Sequence, residues 1–170
     1  MEINYKNVTQ WFDAYFKAFN ENSGLLETVP NMQKYFAPEL EFWPYNMAVA
    51  ERPSSREELL MTMVHPGLHE ELTPREYIVD LDRMVVVVQF QLQFNDENTG
   101  KVWPAKQASA HYHLTTDENN DLKIKKIVYF TEAGQPGESG PMMEIWKNYR
   151  EKALIGLANG WIKEKGDRRS

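Results

Sequence analysis

Four histidines occur in the chain, and two of them stand in the run His111-Tyr112-His113. Side chains two residues apart on a strand share one face, so this pair has a spacing that could hold a metal ion. However, His111 and His113 share their strand parity with Gln107 and Ser109, whereas Tyr112 belongs to an apolar set. We therefore predict that both histidines lie on the outer, wet or interface face of a sheet, and we predict no metal site.

His65 and His69 stand where a predicted helix gives way to a predicted sheet, at the sequence His65-Pro66-Gly67 and just beyond it. A histidine has an unperturbed pKa near 6.5, so either residue could act as a general acid or base near neutral pH. Carboxylates at Glu70 and Glu71 could orient His69, although the same charges are also typical of a solvated loop. The sequence leaves open which of the two histidines faces a site.

Tyr15 lies at the centre of an apolar helix face. A buried tyrosine needs a partner for its hydroxyl, which in a pocket could donate a hydrogen bond to a developing oxyanion. A simple core aromatic is the alternative. Tyr45, Tyr112 and Tyr129 carry the same two interpretations.

Composition excludes several classes of function. The 170 residues contain no cysteine, so disulfides and thiolate chemistry are absent, and the net charge of −6 does not suggest a nucleic-acid-binding protein. No apolar run approaches the roughly 20 residues needed to span a membrane, and the N-terminus does not resemble a signal peptide. No glycine-rich phosphate loop or nucleophile elbow occurs. We expect a cytoplasmic protein that uses no cofactor and binds neither nucleic acid nor membrane.

The stretch from Thr73 to Glu132 reads as a strand meander. Val85–Phe94 begins as a β-branched run and then alternates with period two, which indicates a strand with one buried face. Two further strands follow at Lys101–Thr116 and Leu122–Glu132, and Leu68–Leu72 is predicted to be a loop. Around this sheet the pattern predicts helices at Tyr5–Glu21, at Leu25–Phe36, from a capping box at Ser54 and Glu57, and after Pro141, with an irregular strand at Leu40–Met47.

Ala108 and Ala110 fall on the predicted inner face of the central strand. Small residues there leave room that is either a ligand cavity or space filled by aromatic side chains of the first helix. The fold class predicted is α+β, with helices packed on one side of a curved antiparallel sheet. Residues 1–133 form this domain, and residues 134–170 form a connector, an extra C-terminal helix and a charged tail on the same domain.

Three local patterns accompany this order of elements: the aromatic helix Trp11–Asn20, the run Tyr35–Phe42, and the strand Lys123–Phe130. With them, the region from Val8 to Ala133 resembles the SnoaL-like branch of the nuclear transport factor 2-like superfamily, which includes polyketide cyclases, ketosteroid isomerases, and scytalone and bile acid dehydratases. The resemblance implies a cone-shaped roll in which the sheet wraps the N-terminal helix and leaves a mostly apolar cavity open at one end.

The resemblance also implies roles for single residues. Tyr15 matches the first-helix tyrosine that donates a hydrogen bond in isomerases and dehydratases of this group, and His69 or His65 is the nearest match to the dehydratase histidine. The two carboxyls of the isomerases fall at Pro44-Tyr45 and at Ala110, where this chain has none. The arginine and the two aspartates that the epoxide hydrolase relatives need inside the cone fall at Phe90, Leu92 and Tyr129. The aspartate of the dehydratases falls near Asn20.

Together these features favour a cofactor-independent lyase or isomerase, of dehydratase or cyclase type, that acts on an apolar ring-containing small molecule such as a polyketide or steroid. The catalytic candidates are Tyr15, His69, His65, Tyr45 and Tyr129. The residues expected to contact substrate are Trp43, Phe90, Leu92, Ala108, Ala110 and Tyr112. The alternative is a non-catalytic small-molecule-binding or dimerisation module with the same fold. We also expect a homodimer formed through the outer sheet face.

Overall fold

The computed structural model describes residues 1–45 and 52–132. Two α-helices, one 3₁₀ helix and five strands follow one another in these residues. In chain order they are α1 (Tyr5–Asn22), the 3₁₀ helix (Val29–Tyr35), β1 (Phe36–Tyr45), α2 (Arg56–Thr62), β2 (Leu68–Asp80), β3 (Val85–Asp96), β4 (Lys106–Thr116) and β5 (Leu122–Thr131). The predicted C-terminal helix and charged tail lie outside the described residues.

Each of the two α-helices is preceded by a residue whose side chain caps it. Asn4 accepts a hydrogen bond from the N–H of Asn7 at 2.9 Å and so starts α1. In α2 the cap is Ser55, whose hydroxyl accepts from the N–H of Glu58 at 3.1 Å. The prediction that Ser54 and Glu57 form the capping box is therefore wrong by one residue, because Ser54 instead donates its N–H to the Glu58 carboxylate at 2.6 Å.

The five strands form one sheet in the order β1-β5-β4-β3-β2. From β2 to β5 the pairing is antiparallel, as expected of a meander, whereas β1 pairs with β5 in parallel. The predicted all-antiparallel sheet is therefore corrected to a mixed one. Parallel strands need a long crossover connection, and here α2 and the whole meander supply it.

α1 packs against strands from across the full width of the sheet. Its Phe12 contacts Tyr77 of β2, with ring centroids 6.1 Å apart, and its Tyr15 contacts Phe36 of β1 at 6.0 Å. Five flat strands would be about 19 Å across, nearly twice the diameter of a helix. The sheet therefore curves around α1, and the α+β fold with a sheet wrapped around the N-terminal helix is confirmed.

The predicted strand boundaries need two corrections. β2 begins at Leu68, five residues before the predicted Thr73, and Leu68–Leu72 is strand rather than loop. β4 begins at Lys106 rather than Lys101, and Pro104 just before it lacks the N–H that a ladder requires. The first of these corrections changes which side chains face the helix.

Phe16 provides a test of the packing between α1 and the sheet. It is 1% exposed and its ring contacts both Phe90 and Tyr112. Replacing it with alanine removes a buried ring and leaves a cavity, so we expect a loss of about 3–5 kcal/mol in the free energy of unfolding by urea titration. The control is Tyr5→Ala on the same helix, 58% exposed, with an expected change within about 0.5 kcal/mol. Equal effects of the two changes would contradict the packing described.

Candidate functional site

His65 and Glu70 form a buried pair where α2 gives way to β2. The Nε2 of His65 lies 3.1 Å from the Oε2 of Glu70, and its Nδ1 lies 2.8 Å from the carbonyl oxygen of Leu68. A carbonyl only accepts, so Nδ1 carries a proton and Nε2 faces the carboxylate. The side chain of His65 is 5% exposed and that of Glu70 is 12% exposed. The pair is thus shielded from water, and Glu70 is its more accessible member.

Two opposing effects act on the imidazole. Burial lowers the pKa of His65, but the hydrogen bond that its Nε2–H donates to Glu70 and the negative charge of that carboxylate outweigh burial and raise the pKa above its ordinary value. The backbone contact with Leu68 acts in the same direction. The imidazolium and the carboxylate therefore stabilise each other, and one exchangeable proton is held between them.

Glu70 reaches the inner face because β2 starts early. Glu70 pairs with Phe94 and Leu72 pairs with Leu92, so both project towards α1, while His69 and Glu71 project the other way. Glu70 was not predicted as a site residue, because the sequence of Leu68–Leu72 suggested a loop, whereas these residues form strand. The alternation of Leu68, Glu70 and Leu72 was the signal that could have found it.

Gly24 is hydrogen-bonded to the backbone of His65. Its carbonyl accepts the N–H of His65 at 2.9 Å, and its own N–H donates to the carbonyl of Met63 at 2.7 Å. Gly24 has φ +103°, a left-handed conformation that glycine adopts without a steric penalty. The N–H of His65 is therefore held by a residue outside β2, while its carbonyl accepts the N–H of Leu68 at the start of β2 at 3.1 Å.

Tyr15 and Tyr112 form a second buried group on the inner face. Both are 3% exposed and their ring centroids are 5.8 Å apart, so each hydroxyl influences the pKa of the other. Burial is the main cause that raises the pKa of each hydroxyl, and the charge of Glu70 adds to it at Tyr15. Both hydroxyls therefore stay protonated at neutral pH and can donate hydrogen bonds.

Tyr129 is the more accessible tyrosine of this face. It is half-buried, with its ring 6.3 Å from Phe42 and 6.1 Å from Phe90. Burial raises the pKa of its hydroxyl, and the charge of Glu70 raises it further. The charge of Glu70 thus raises the pKa of Tyr129 as well as that of Tyr15.

The predicted lining residues of β3 and β4 lie on this face, whereas Trp43 of β1 does not. Phe90, Leu92 and Ala110 are at most 2% exposed, and Ala108 is 6% exposed. Rings of α1 pack here, since Phe16 contacts Phe90 directly.

Several predicted residues lie on the outer face instead. His69 is 39% exposed on its side chain and its Nε2 is 4.0 Å from Glu71. Tyr45, 48% exposed, stacks on Phe130 at 5.4 Å. Trp43 lies under the guanidinium of Arg52, whose Cζ is 3.2 Å from the ring centroid. None of these three side chains lies next to the Glu70–His65 pair. Of the predicted catalytic residues, His65, Tyr15 and Tyr129 lie on the inner face.

His111 and His113 also lie on the outer face, as the parity predicted. Their pairing partners on β5 are Val128 and Lys126. Partial burial and the positive charge of Lys126 lower the pKa of His113. Within residues 1–45 and 52–132, no group of three or more His, Asp or Glu side chains has a geometry that could hold a metal ion. In the same residues no helix is both long and apolar enough to cross a bilayer.

The His65–Glu70 contact predicts a pH dependence of stability. Because the folded-state pKa of His65 is raised, the contact stabilises the fold fully below the unfolded pKa of about 6.5, and this stabilisation is lost as pH rises through the folded pKa. We expect the difference in unfolding free energy between the parent protein and Glu70→Gln to shrink from pH 6 to pH 9 in urea titrations. The change amounts to about 1.4 kcal/mol per unit of pKa difference.

The matched control for this experiment is His69→Gln. It removes a histidine close in sequence but from the opposite face, so the Glu70–His65 contact stays intact. A difference between parent and Glu70→Gln that is the same at every pH would contradict the pairing.

Comparisons with known proteins address the fold. No protein-family profile matches the sequence, and no curated protein matches it. Among solved structures, ActVI-ORFA from Streptomyces coelicolor superposes with a TM-score of 0.57 at 8% identity, over 75% of this chain and 97% of that one. A candidate SnoaL-like polyketide cyclase from Shewanella putrefaciens gives 0.54 at 16% identity, over 76% and 91%.

A third structure, from Catenulispora acidiphila, was solved in complex with S-DNPA, a small molecule. It superposes with a TM-score of 0.51 at 16% identity, over 75% of this chain and 92% of that one. These superpositions establish a common fold. At identities this low they do not establish a common activity, which has to be argued from the site. The chain has the fold of these solved structures, among them the candidate SnoaL-like polyketide cyclase from Shewanella putrefaciens.

Proposed function

We propose that this protein is a cofactor-independent lyase or isomerase, of cyclase or dehydratase type, that removes a proton next to a carbonyl group of an apolar ring-containing small molecule. The observation that carries the proposal is the buried Glu70–His65 pair on the inner face, with its 3.1 Å contact. The names of the superposed polyketide cyclases support the same class of reaction.

In this proposal Glu70 is the group that meets the substrate. Its carboxylate is the more exposed member of the pair, and it accepts a proton from the carbon next to the carbonyl. The electron pair of that C–H bond moves into the carbonyl to give an enolate. His65, held at Nδ1 by Leu68, orients the carboxylate and stabilises it through Nε2, and the proton from the substrate stays on the carboxylate of Glu70. Cyclisation, isomerisation and loss of water can all proceed from the enolate.

The enolate oxygen needs hydrogen-bond donors. Tyr15 and Tyr129 remain protonated because burial and the charge of Glu70 raise the pKa of both hydroxyls. Preorganised donors of this kind act where negative charge develops in the transition state, and one of them is worth about 10²–10³-fold in rate. The apolar rings of Phe42 and Phe90 beside Tyr129 favour a substrate that is itself apolar.

A non-catalytic small-molecule-binding module remains the second candidate. Its main support in the sequence was the lack of any inward carboxylate on the strands. Glu70 is such a carboxylate, so the geometry favours the enzyme. Binding of ring ketones without any proton exchange would favour the module.

The test measures proton abstraction without knowing the product. Ring ketones of steroid and polyketide type are incubated with the protein in D₂O, and incorporation of deuterium next to the carbonyl is followed by mass spectrometry. Binding is followed by the fluorescence of Trp11, whose ring stacks on Tyr15 with centroids 6.1 Å apart. We expect exchange for at least one compound that binds.

We expect Glu70→Gln to lower this exchange by about 10²–10⁴-fold, because it removes the general base. We expect Tyr15→Phe to lower it by about 10²-fold. Tyr112→Phe, which keeps the Tyr15 hydroxyl, and Tyr45→Phe on the outer face serve as controls with smaller effects. Exchange that is unchanged in Glu70→Gln would remove this residue from the mechanism.

We also propose that the protein forms a homodimer through its outer sheet face. Strand pairing aligns five side chains in one row across that face: Ile78, Val87, His111, Val128 and Trp43. Ile78 is 53% exposed and Tyr45, beside the row, is 48% exposed. Apolar side chains in a contiguous row are typical of a surface that a partner covers.

Ile78→Asp tests this interface. An exposed charge costs little in the monomer but is strongly unfavourable in an apolar contact, so we expect weaker dimerisation in analytical ultracentrifugation. Val102→Asp, at a residue that is 64% exposed and outside the row, is the matched control. A parent protein that sediments as a monomer would contradict the proposal.

A further inference from the structure

Asn20 makes two hydrogen bonds to the backbone of a single residue of the sheet. Its Nδ2 donates to the carbonyl of Leu72 at 2.9 Å, and its Oδ1 accepts the N–H of Leu72 at 2.8 Å. Asn20 belongs to α1 and Leu72 to β2, 52 residues apart in sequence. The side-chain amide thus pairs with the strand in the way that a peptide group of a neighbouring strand would.

This contact occurs at an edge of the sheet. Among the strands of residues 1–45 and 52–132, β2 stands at one end of the order, next to β3. The N–H and C=O of Leu72 point towards that open edge, where an unpaired buried group would cost about 1–3 kcal/mol. Asn20 satisfies both groups, so the backbone of β2 is fixed at Leu72.

Leu72 is two residues from Glu70, and side chains two residues apart on a strand share a face. His65 is held by its N–H to Gly24, outside β2, and by Nδ1 to Leu68, at the start of β2. The position of Glu70 against His65 therefore depends on how β2 runs from Leu68 to Leu72. We propose that Asn20 is a positioning residue that holds Glu70 against His65 by closing the edge of β2.

The amide of Asn20 is committed to the backbone of Leu72 through both its oxygen and its nitrogen, which is why it acts through Glu70 rather than on a substrate. The inference deepens the proposed function, since it concerns the same acid–base pair. The contact itself can be tested on the protein without substrate, so its failure is distinguishable from failure of the catalytic proposal.

The readout is the pKa of His65, followed by NMR of the imidazole ring during a pH titration. The charged side chain that acts on this ring is Glu70, while the contacts from Gly24 and Leu68 are backbone groups. If β2 is released, Glu70 moves away and its hydrogen bond and charge no longer offset burial, so the pKa of the ring falls. We expect Asn20→Ser to lower the pKa of His65 by about one unit.

Asn22→Ser is the matched control, because Asn22 is the same residue type on the same helix. It also makes two side-chain hydrogen bonds, with its Nδ2 donating to Ala18 at 2.8 Å and its Oδ1 accepting from Asn31 at 2.8 Å. Neither bond reaches β2. We expect Asn22→Ser to lower stability and leave the pKa of His65 unchanged.

A loss of stability in Asn20→Ser with no change in the pKa of His65 would reduce Asn20 to a structural residue and overturn the inference. If Asn20→Ser does not fold, the reciprocal measurement decides, because coupling between two sites acts in both directions. Glu70→Ala is then expected to increase hydrogen exchange at the N–H of Leu72 by about tenfold relative to the parent protein. Unchanged protection at Leu72 would overturn the inference as well.

Discussion

The burial of one aromatic face of α1 is the constraint on which the rest of the fold depends. Each of its rings removes about 150–250 Å² from water, which corresponds to about 4–6 kcal/mol before entropic costs. An exposed ion pair such as Lys17–Glu21, 3.9 Å apart on the same helix, contributes at most about 1 kcal/mol. The aromatic face therefore decides the packing, and the sheet curves because a single helix must be covered by strands on several sides.

That curvature also explains how side chains from distant strands come to act on one another. Glu70 stands on β2 and Tyr129 on β5, three strands away in the sheet, yet the charge of Glu70 raises the pKa of the Tyr129 hydroxyl. On a flat sheet these positions would be about 14 Å apart across the strands alone. Wrapping the sheet around α1 makes one acid–base pair and two hydroxyl donors part of a single region.

Much of the fold could be predicted from the sequence, because periodicity reports burial directly. The alternation at Val85–Phe94 and the helical spacing of aromatics in α1 indicated both partners of the main contact. Strand parity correctly placed His111 and His113 outside. The parallel pairing of β1 with β5 left no local signal, since parallel and antiparallel strands can carry the same pattern of side chains.

The candidate site was less predictable, because its main residue lies in a strand of mixed polarity. His69, Glu70 and Glu71 interrupt the apolar pattern of β2, and a β-bulge between Pro74 and Glu76 shifts the strand parity farther along. The resemblance to known dehydratases drew attention to Asn20 as the position of a carboxylate. In this chain the Asn20 amide is hydrogen-bonded to the backbone of Leu72. The carboxylate on the inner face of β2 is that of Glu70.

The parallel pair has a consequence for the order in which the molecule assembles. Trp43 of β1 pairs with Val128 of β5, so β1 can complete its strand pairing only after β5 has been synthesised. Contacts this far apart in sequence are slow to form, and a ribosome-bound chain lacking β5 would expose both edges of β1. The N-terminal helix and the meander can associate early, whereas the Phe42 and Tyr129 side of the inner face is completed only when synthesis has passed β5.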